Sequence, residues 1–286
     1  MPGDSTLLID GLAYGAFPKQ LAEGIAQRII ALVHHPLALE AGLSEKRQNE
    51  LVASERDALS LADHVIATSP STKRILITDY GVPEPHVTVA EPGTDPAQRA
   101  TGTGTPMQLL CVGTITPRKG YDVLVEALEP LRDLDWRLTI AGPDDRNSET
   151  TAALRTQITA AGLHDRITLS GVVVPATLDR FYESADIFIM PSLYEGYGMA
   201  LGEAMARGLP IICTPGGAAA ETVPEGAAIK IAPGSSEFLT RALQNLLSDR
   251  KQRIRLADAA WEAGRKLPTW SETARRVAAV IMGLKA

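Results

Sequence analysis

A chain of 286 residues with 45% hydrophobic content is long enough for one large or two modest packed domains, which excludes disorder as its default state. The net charge of −6 is uneven: residues 1–100 carry 8 Lys and Arg against 13 Asp and Glu, so the first third offers no polybasic patch, and nucleic acid is not expected as a partner. No apolar run reaches about 18 residues and no basic-then-apolar leader opens the chain, so neither a membrane span nor a signal peptide is expected.

In chain order, strand-length apolar runs fall at 7–10, 29–34, 64–68, 87–91, 108–112, 137–141, 166–170, 187–190, 210–213 and 228–231. Between them, helical periodicity predicts helices over 45–62, 71–78, 121–131, 148–161, 175–183, 198–206 and 236–247. Strand-helix alternation with short connections predicts parallel sheets covered on both faces, an α/β architecture. Breaker-rich residues from Pro92 to Pro96 and from Thr101 to Pro106 read as a linker and place a boundary near residue 100. The expected division is a partial N-terminal Rossmann-like domain over 1–100, a complete nucleotide-binding-type domain over 101–266, and a C-terminal helix over 267–286. Thr269 and Glu272 have the spacing of a reciprocal helix cap. The stripe Ala274, Val277, Ala278 and Ile281 then has to be buried, with the first domain as one candidate surface. Cys111 and Cys213 each lie in an apolar run and are expected as buried free thiols, which suits a reducing cytoplasm.

Chemistry concentrates in two stretches. Pro191 to Pro210 combines a strand end, a Gly-bearing turn and an Ala-rich helix, with Glu195 and Glu203 eight positions apart. A helix opened by Gly196-Tyr197-Gly198 presents unpaired N–H groups and a positive dipole end, which suits a phosphate or a sugar hydroxyl. Glu203, set among alanines, is suited to a vicinal diol; the alternatives are that it reaches solvent or pairs with Arg207 one turn on. The second stretch, Val112 to Gly120, follows a strand and carries the adjacent cations Arg118 and Lys119, which suit a diphosphate. A solvated basic turn is the alternative. His34 and His35 close a strand and either face a cleft or sit packed at the surface. Asp133-Leu134-Asp135 has the Asp-x-Asp form of a metal signature but precedes a strand's amino end, the wrong side for a ligand, and is set aside. The remaining histidines, His64, His86 and His164, have no zinc spacing, and no metal site is expected.

The pattern P-S-x-x-E-G-x-G-x-x-x-x-E-A-x-A-x-G-x-P over Pro191 to Pro210 closely resembles the retaining GT-B glycosyltransferases of family 4. Val112-Gly113-Thr114 to Arg118-Lys119-Gly120, Gly216-Gly217-Ala218 to Glu221-Thr222-Val223, and Trp270 match further signatures of that family, so the resemblance covers about residues 107–284. It implies two Rossmann-type domains, with the first one incomplete, and a UDP- or GDP-sugar donor without a cofactor. Arg118 and Lys119 would neutralise the donor diphosphate beside Gly113 and Thr114, and Glu203 would hold the ribose. Glu195, with Gly196, Tyr197 and the amides of Gly198, Met199, Ala200 and Leu201, would hold the transferred sugar and phosphate. Val172 and Val173 would line the base pocket, and His34 would touch the sugar. Glu195, Lys119, Arg118 and His34 are thus the implied catalytic set.

Some relatives carry Arg where Thr114 stands, a charge that Arg118 would supply here. The family's first domain is usually longer at its amino end, so a partner chain or a second copy covering the incomplete sheet is one expectation. The expected activity is retaining, metal-independent hexosyl transfer to an unknown acceptor, in the cytoplasm or peripheral to a membrane. The alternatives are an inactive or split-subunit nucleotide-sugar-binding protein, or a nucleotide-sugar epimerase or hydrolase.

Overall fold

The predicted alternation closes into two parallel sheets in the computed structural model, which describes residues 5–40 and 42–284. The first sheet runs β1-β2-β3-β4, with β1 Thr6–Asp10, β2 Arg28–Val33, β3 His64–Ala67 and β4 Val87–Val89. Its registers set Leu8 opposite Ile30, Ile30 opposite His64 and Val65 opposite Val87. The second comprises β5 Met107–Val112, β6 Trp136–Ala141, β7 Ile167–Gly171, β8 Ile187–Met190, β9 Ile211–Cys213 and β10 Ala228–Lys230. Its order is β10-β9-β8-β5-β6-β7, so the chain winds outward from β5 in one direction and then from β8 in the other, a doubly wound sheet.

Among the described residues the helices are α1 Gly11–Tyr14, α2 Lys19–Glu23, α3 Glu45–Ser60, α4 Pro70–Thr78, α5 Tyr121–Leu128, α6 Ser148–Ala160, α7 Pro175–Ser184, α8 Met199–Ala206, α9 Ala219–Thr222, α10 Ser236–Ser248, α11 Arg250–Gly264 and α12 Trp270–Gly283. The helix predicted over 121–131 stops at Leu128 and ends in a tight turn, Glu129–Leu131, because Pro130 has no N–H to continue the ladder. The one-turn helices α1, α2 and α9 are too short to leave a periodic signal in the sequence.

The chain divides into two compact units. The first runs to Gly93 and adds Glu195–Tyr197 and the stretch from Pro268; the second holds Thr94–Tyr194 and Gly198–Leu267. The breaker-rich stretch is no free linker. Ala100 N–H donates to Arg207 O at 2.8 Å, Thr101 and Gly102 N–H both donate to Glu183 O at 3.1 Å, and Gly104 N–H donates to Asp186 Oδ1 at 3.0 Å. A backbone rich in Gly and Thr still needs partners, and here it finds them on the second unit.

Alternation along each strand decides what covers each face. In the second sheet Leu109, Cys111, Ile187 and Ile189 face a core with Leu124 and Leu128 of α5, Leu154 of α6 and Leu243 of α10. Leu110, Phe188, Met190 and Ile211 face the other way, onto Tyr182 of α7, Leu201 and Met205 of α8 and Ala260 of α11. α11 approaches α8 so closely that a Cβ on Gly264 would lie 2.4 Å from Met205 O. In the first sheet Ile29, Ala31, Val65 and Ala67 pack with α3 and α4 residues such as Leu59 and Leu76. Ile30, Ile66 and Leu32 on the opposite face take Val277, Val280 and Ile281 of α12. Of the predicted stripe, Val277 and Ile281 lie half-buried on the first sheet together with Val280 and Leu284, whereas Ala274 and Ala278 are exposed. At the start of α12 Thr269 and Glu272 form the reciprocal cap, which holds the Glu272 carboxyl below its usual range chiefly through the Thr269 N–H.

Candidate active site

In a doubly wound sheet ligands collect at the carboxyl ends of the strands where the order reverses. Here that point lies between the hydrogen-bonded neighbours β5 and β8. Two loops leave it, 113–120 after β5 and 191–198 after β8, and they are fastened together. Leu193 N–H donates to Arg118 O at 2.8 Å, and Arg118 Nη1 donates to Tyr194 O at 2.6 Å. Gly120, at φ +65°, comes so close that a Cβ there would lie 2.5 Å from Pro191 O. The two stretches that the sequence marked as chemical are neighbours in space, more than 70 residues apart in the chain.

Lys119 folds back over the end of β5. A Cβ on Gly113 would lie 3.1 Å from Lys119 Cε and 3.3 Å from Nζ, so Gly113 makes room for the ammonium. Gly113 O accepts the Tyr121 hydroxyl at 3.1 Å, and Gly142 packs so tightly behind it that a Cβ there would meet Gly113 O at 2.4 Å. Thr114 is half-buried in the same turn.

Helix starts around this sheet are of two kinds. α5 opens from Gly120 and α8 from Gly198, both with left-handed backbone and no side-chain cap, and α7 after β7 also lacks one. α6 and α10, which likewise follow strands of this sheet, are closed by the Asn147 and Ser235 side chains, and α11 by Asp249. An uncapped start keeps its first N–H groups available to an anion. At α8 the expected set of amides is shortened, because Leu201 N–H already donates to Gly198 O at 2.8 Å and its side chain is fully buried core. Met199 is exposed and Ala200 half-buried at that start. Gly202 faces Thr94, whose Oγ1 a Cβ would meet at 2.8 Å, so its smallness makes room for that contact.

Glu203 resolves differently from either alternative read in the sequence. Its Oε2 accepts the Tyr182 hydroxyl at 2.7 Å, while Arg207 pairs with Asp179 at 2.5 Å and donates only to the main-chain O of Glu203, at 3.3 Å. Tyr182 is fully buried, and burial, then the Glu203 charge, pushes its phenol well above the usual range, so it remains a donor. Nothing in the sequence ties Tyr182 to Glu203, 21 residues on. Val172 and Val173 follow β7, two strand spacings (about 10 Å) from β5, and Val172 is 74% exposed.

The remaining residues of the expected set belong to the first unit. His34 follows β2 and its Nε2 lies 3.0 Å from Asp10 Oδ2. His35 turns instead to Glu40, at 2.6 Å. The Glu195–Gly196 turn rests on these histidines: a Cβ on Gly196 would lie 2.4 Å from His34 O and 3.1 Å from His35 Cβ. Glu195 is buried. Tyr197 is buried too, its phenol raised to about 12 by burial and then by Glu91. Asp133 and Asp135 stand before the amino end of β6, the opposite edge from these loops. Among the described residues no group of three His, Cys, Asp or Glu is placed to hold a metal ion.

A doubly wound nucleotide-binding-type unit with fastened cationic and glycine loops, accompanied by a second parallel-sheet unit, defines a GT-B-like α/β protein. The chain belongs to the glycosyl transferases group 1 family, which matches residues 96–263; residues 13–98 match Glycosyltransferase Family 4. It is 29% identical over 264 residues to mannosylfructose-phosphate synthase of Agrobacterium fabrum, covering 86% of this chain and 57% of that protein. It is 30% identical over 272 residues to D-inositol 3-phosphate glycosyltransferase of Nocardia farcinica, covering 86% and 59%. The chain thus spans somewhat over half the length of these curated relatives. Sucrose-phosphate synthase of Thermosynechococcus elongatus shares the fold with a TM-score of 0.83 at 24% identity, over 98% of this chain and 73% of that one. Anabaena Alr3699/HepE, solved with UDP-glucose, gives 0.78 at 20% identity, over 96% and 78%. Among the described residues no helix is long and apolar enough to cross a membrane.

Proposed function

We propose that the protein transfers a hexosyl group from a UDP- or GDP-sugar to an acceptor hydroxyl with retention at the anomeric carbon. The observation that carries this is the fastening of the Arg118-Lys119 loop to the Glu195-bearing loop at the reversal between β5 and β8. A diphosphate there meets two cations and the uncapped start of α8, which stabilise negative charge as it develops on the leaving group. Arg118 also holds Tyr194 O, so it sets the loop separation as well as contributing charge. Glu203 accepts from the ribose diol, and Val172 and Val173 flank the base. Glu195 and His34 serve the transferred sugar.

The bond from the anomeric carbon to the diphosphate oxygen breaks through an oxocarbenium-like state. The acceptor oxygen bonds the same face, and its proton passes to the departing phosphate, so the chemistry assigned to these side chains requires no metal ion. The relatives' names and the UDP-glucose bound to the Anabaena neighbour support this donor class.

Calorimetry with UDP, GDP and the free nucleosides, followed by NMR of the product's anomeric configuration, tests the proposal. Diphosphates should bind far more tightly than nucleosides, and the product should keep the donor's configuration. Equal binding of UDP and uridine, or an inverted product, overturns it.

A further inference from the structure

We propose that Tyr182 is a positioning residue for nucleotide recognition: its hydroxyl fixes Glu203 Oε2 and thereby orients the carboxylate toward a ribose diol. This rests on the assignment of Glu203 to the ribose. The hydroxyl lies 2.7 Å from Oε2 and 3.5 Å from Ala200 O, inside a ring that is 1% exposed. A phenylalanine would fill the same space, stacking on Phe188 (centroids 5.9 Å apart, 21° between planes) and under the Arg207 guanidinium (4.5 Å), without a buried hydroxyl to satisfy. The hydroxyl therefore has a purpose beyond packing.

The surroundings converge on the same helical turn. Asp179, one turn before Tyr182 on α7, anchors Arg207, and Arg207 donates to the main-chain O of Glu203. Glu203 is thus held through its backbone and one carboxylate oxygen. Oε1 and the remaining lone pair of Oε2 are left to accept, which suffices for two diol hydroxyls. A glutamate on a helix without such a tether keeps rotamer freedom that binding must remove.

The test is Tyr182→Phe in the full chain, titrated with UDP, GDP and their 2′,3′-dideoxy counterparts. We expect the ribonucleotides to bind about fivefold to tenfold more weakly and the dideoxy compounds to bind as to the unaltered protein. In a Glu203→Gln background the same change should cost nothing further. Equal weakening of both nucleotide types, or none at all, overturns the inference. If Glu203→Gln itself leaves UDP binding unchanged, the ribose assignment falls as well, so the two failures are distinguishable. Should Tyr182→Phe not fold, the slowly exchanging Tyr182 hydroxyl proton of the unaltered protein is followed by NMR. It should shift with UDP and not with dideoxy-UDP; the same shift with both would refute the role.

Discussion

Replacing Gly120 by alanine tests whether the two loops at the sheet reversal are held at a fixed separation. With φ at +65°, any side chain there incurs left-handed strain of about 1–2 kcal/mol. The added Cβ would also lie 2.5 Å from Pro191 O, about 0.8 Å inside the roughly 3.3 Å at which close C···O contacts begin. Relief requires the 191–198 loop to retreat, and overpacking of this kind costs about 1–3 kcal/mol. Gly162, just past the end of α6, has φ +68° and nothing within 4 Å of its Cβ position, so Gly162→Ala carries the strain without the collision. The difference between the two variants isolates the contact. It should appear as a melting temperature about 3–10 °C lower for Gly120→Ala than for Gly162→Ala. Calorimetric melts and UDP titrations of both variants decide the matter: only Gly120→Ala should also weaken UDP, because the retreating loop carries the Arg118–Tyr194 tie. Coincident melts with unchanged UDP affinity in both would refute the reasoning.

Lys119→Ala should leave the fold intact, lower UDP affinity by about tenfold to a hundredfold and abolish turnover, with uridine binding unaffected; titration and a nucleotide-release assay read it. Burial raises the Glu55 carboxyl from 4.5 to about 7, partly opposed by the Leu37 N–H it accepts at 2.9 Å and by Tyr80. Between these values the folded protein keeps a proton that the unfolded chain has released, so stability falls as pH rises through that window, by on the order of 3 kcal/mol. Glu55→Gln keeps the hydrogen bond to Leu37 and should flatten this slope in unfolding curves from pH 5 to 8; an unchanged slope would assign it elsewhere. Cys111 and Cys213 are buried and unpaired, with burial raising both thiols, the second to about 12. Neither should react with a thiol reagent until the protein unfolds, when two equivalents titrate.

Much was legible in the sequence because it is locally encoded. The ten strand-length apolar runs all form strands, because each is a short apolar segment bounded by turn or helix signals. Thr269 and Glu272 marked the start of α12 from three-residue spacing alone. The two chemical stretches were legible as motifs. Their mutual fastening was not, because Arg118 and Tyr194 are 76 residues apart and only strand order makes them neighbours. Nor was it legible that the Leu201 N–H, which the family resemblance implies for the ligand, donates to Gly198 O while its side chain lies in the core.

The sequence by itself determined the α/β class, the ten strands, the cap of the last helix and the residue types at the site, since each depends on contacts within a few turns of the chain. Tertiary structure alone decided that β8 returns beside β5, that the Glu195–Gly196 turn lies on His34, and that Tyr182 holds Glu203 in place of Arg207. Those pairings arise from packing distant elements together. Their cost and gain are settled only when the whole sheet and its helices close around the same space.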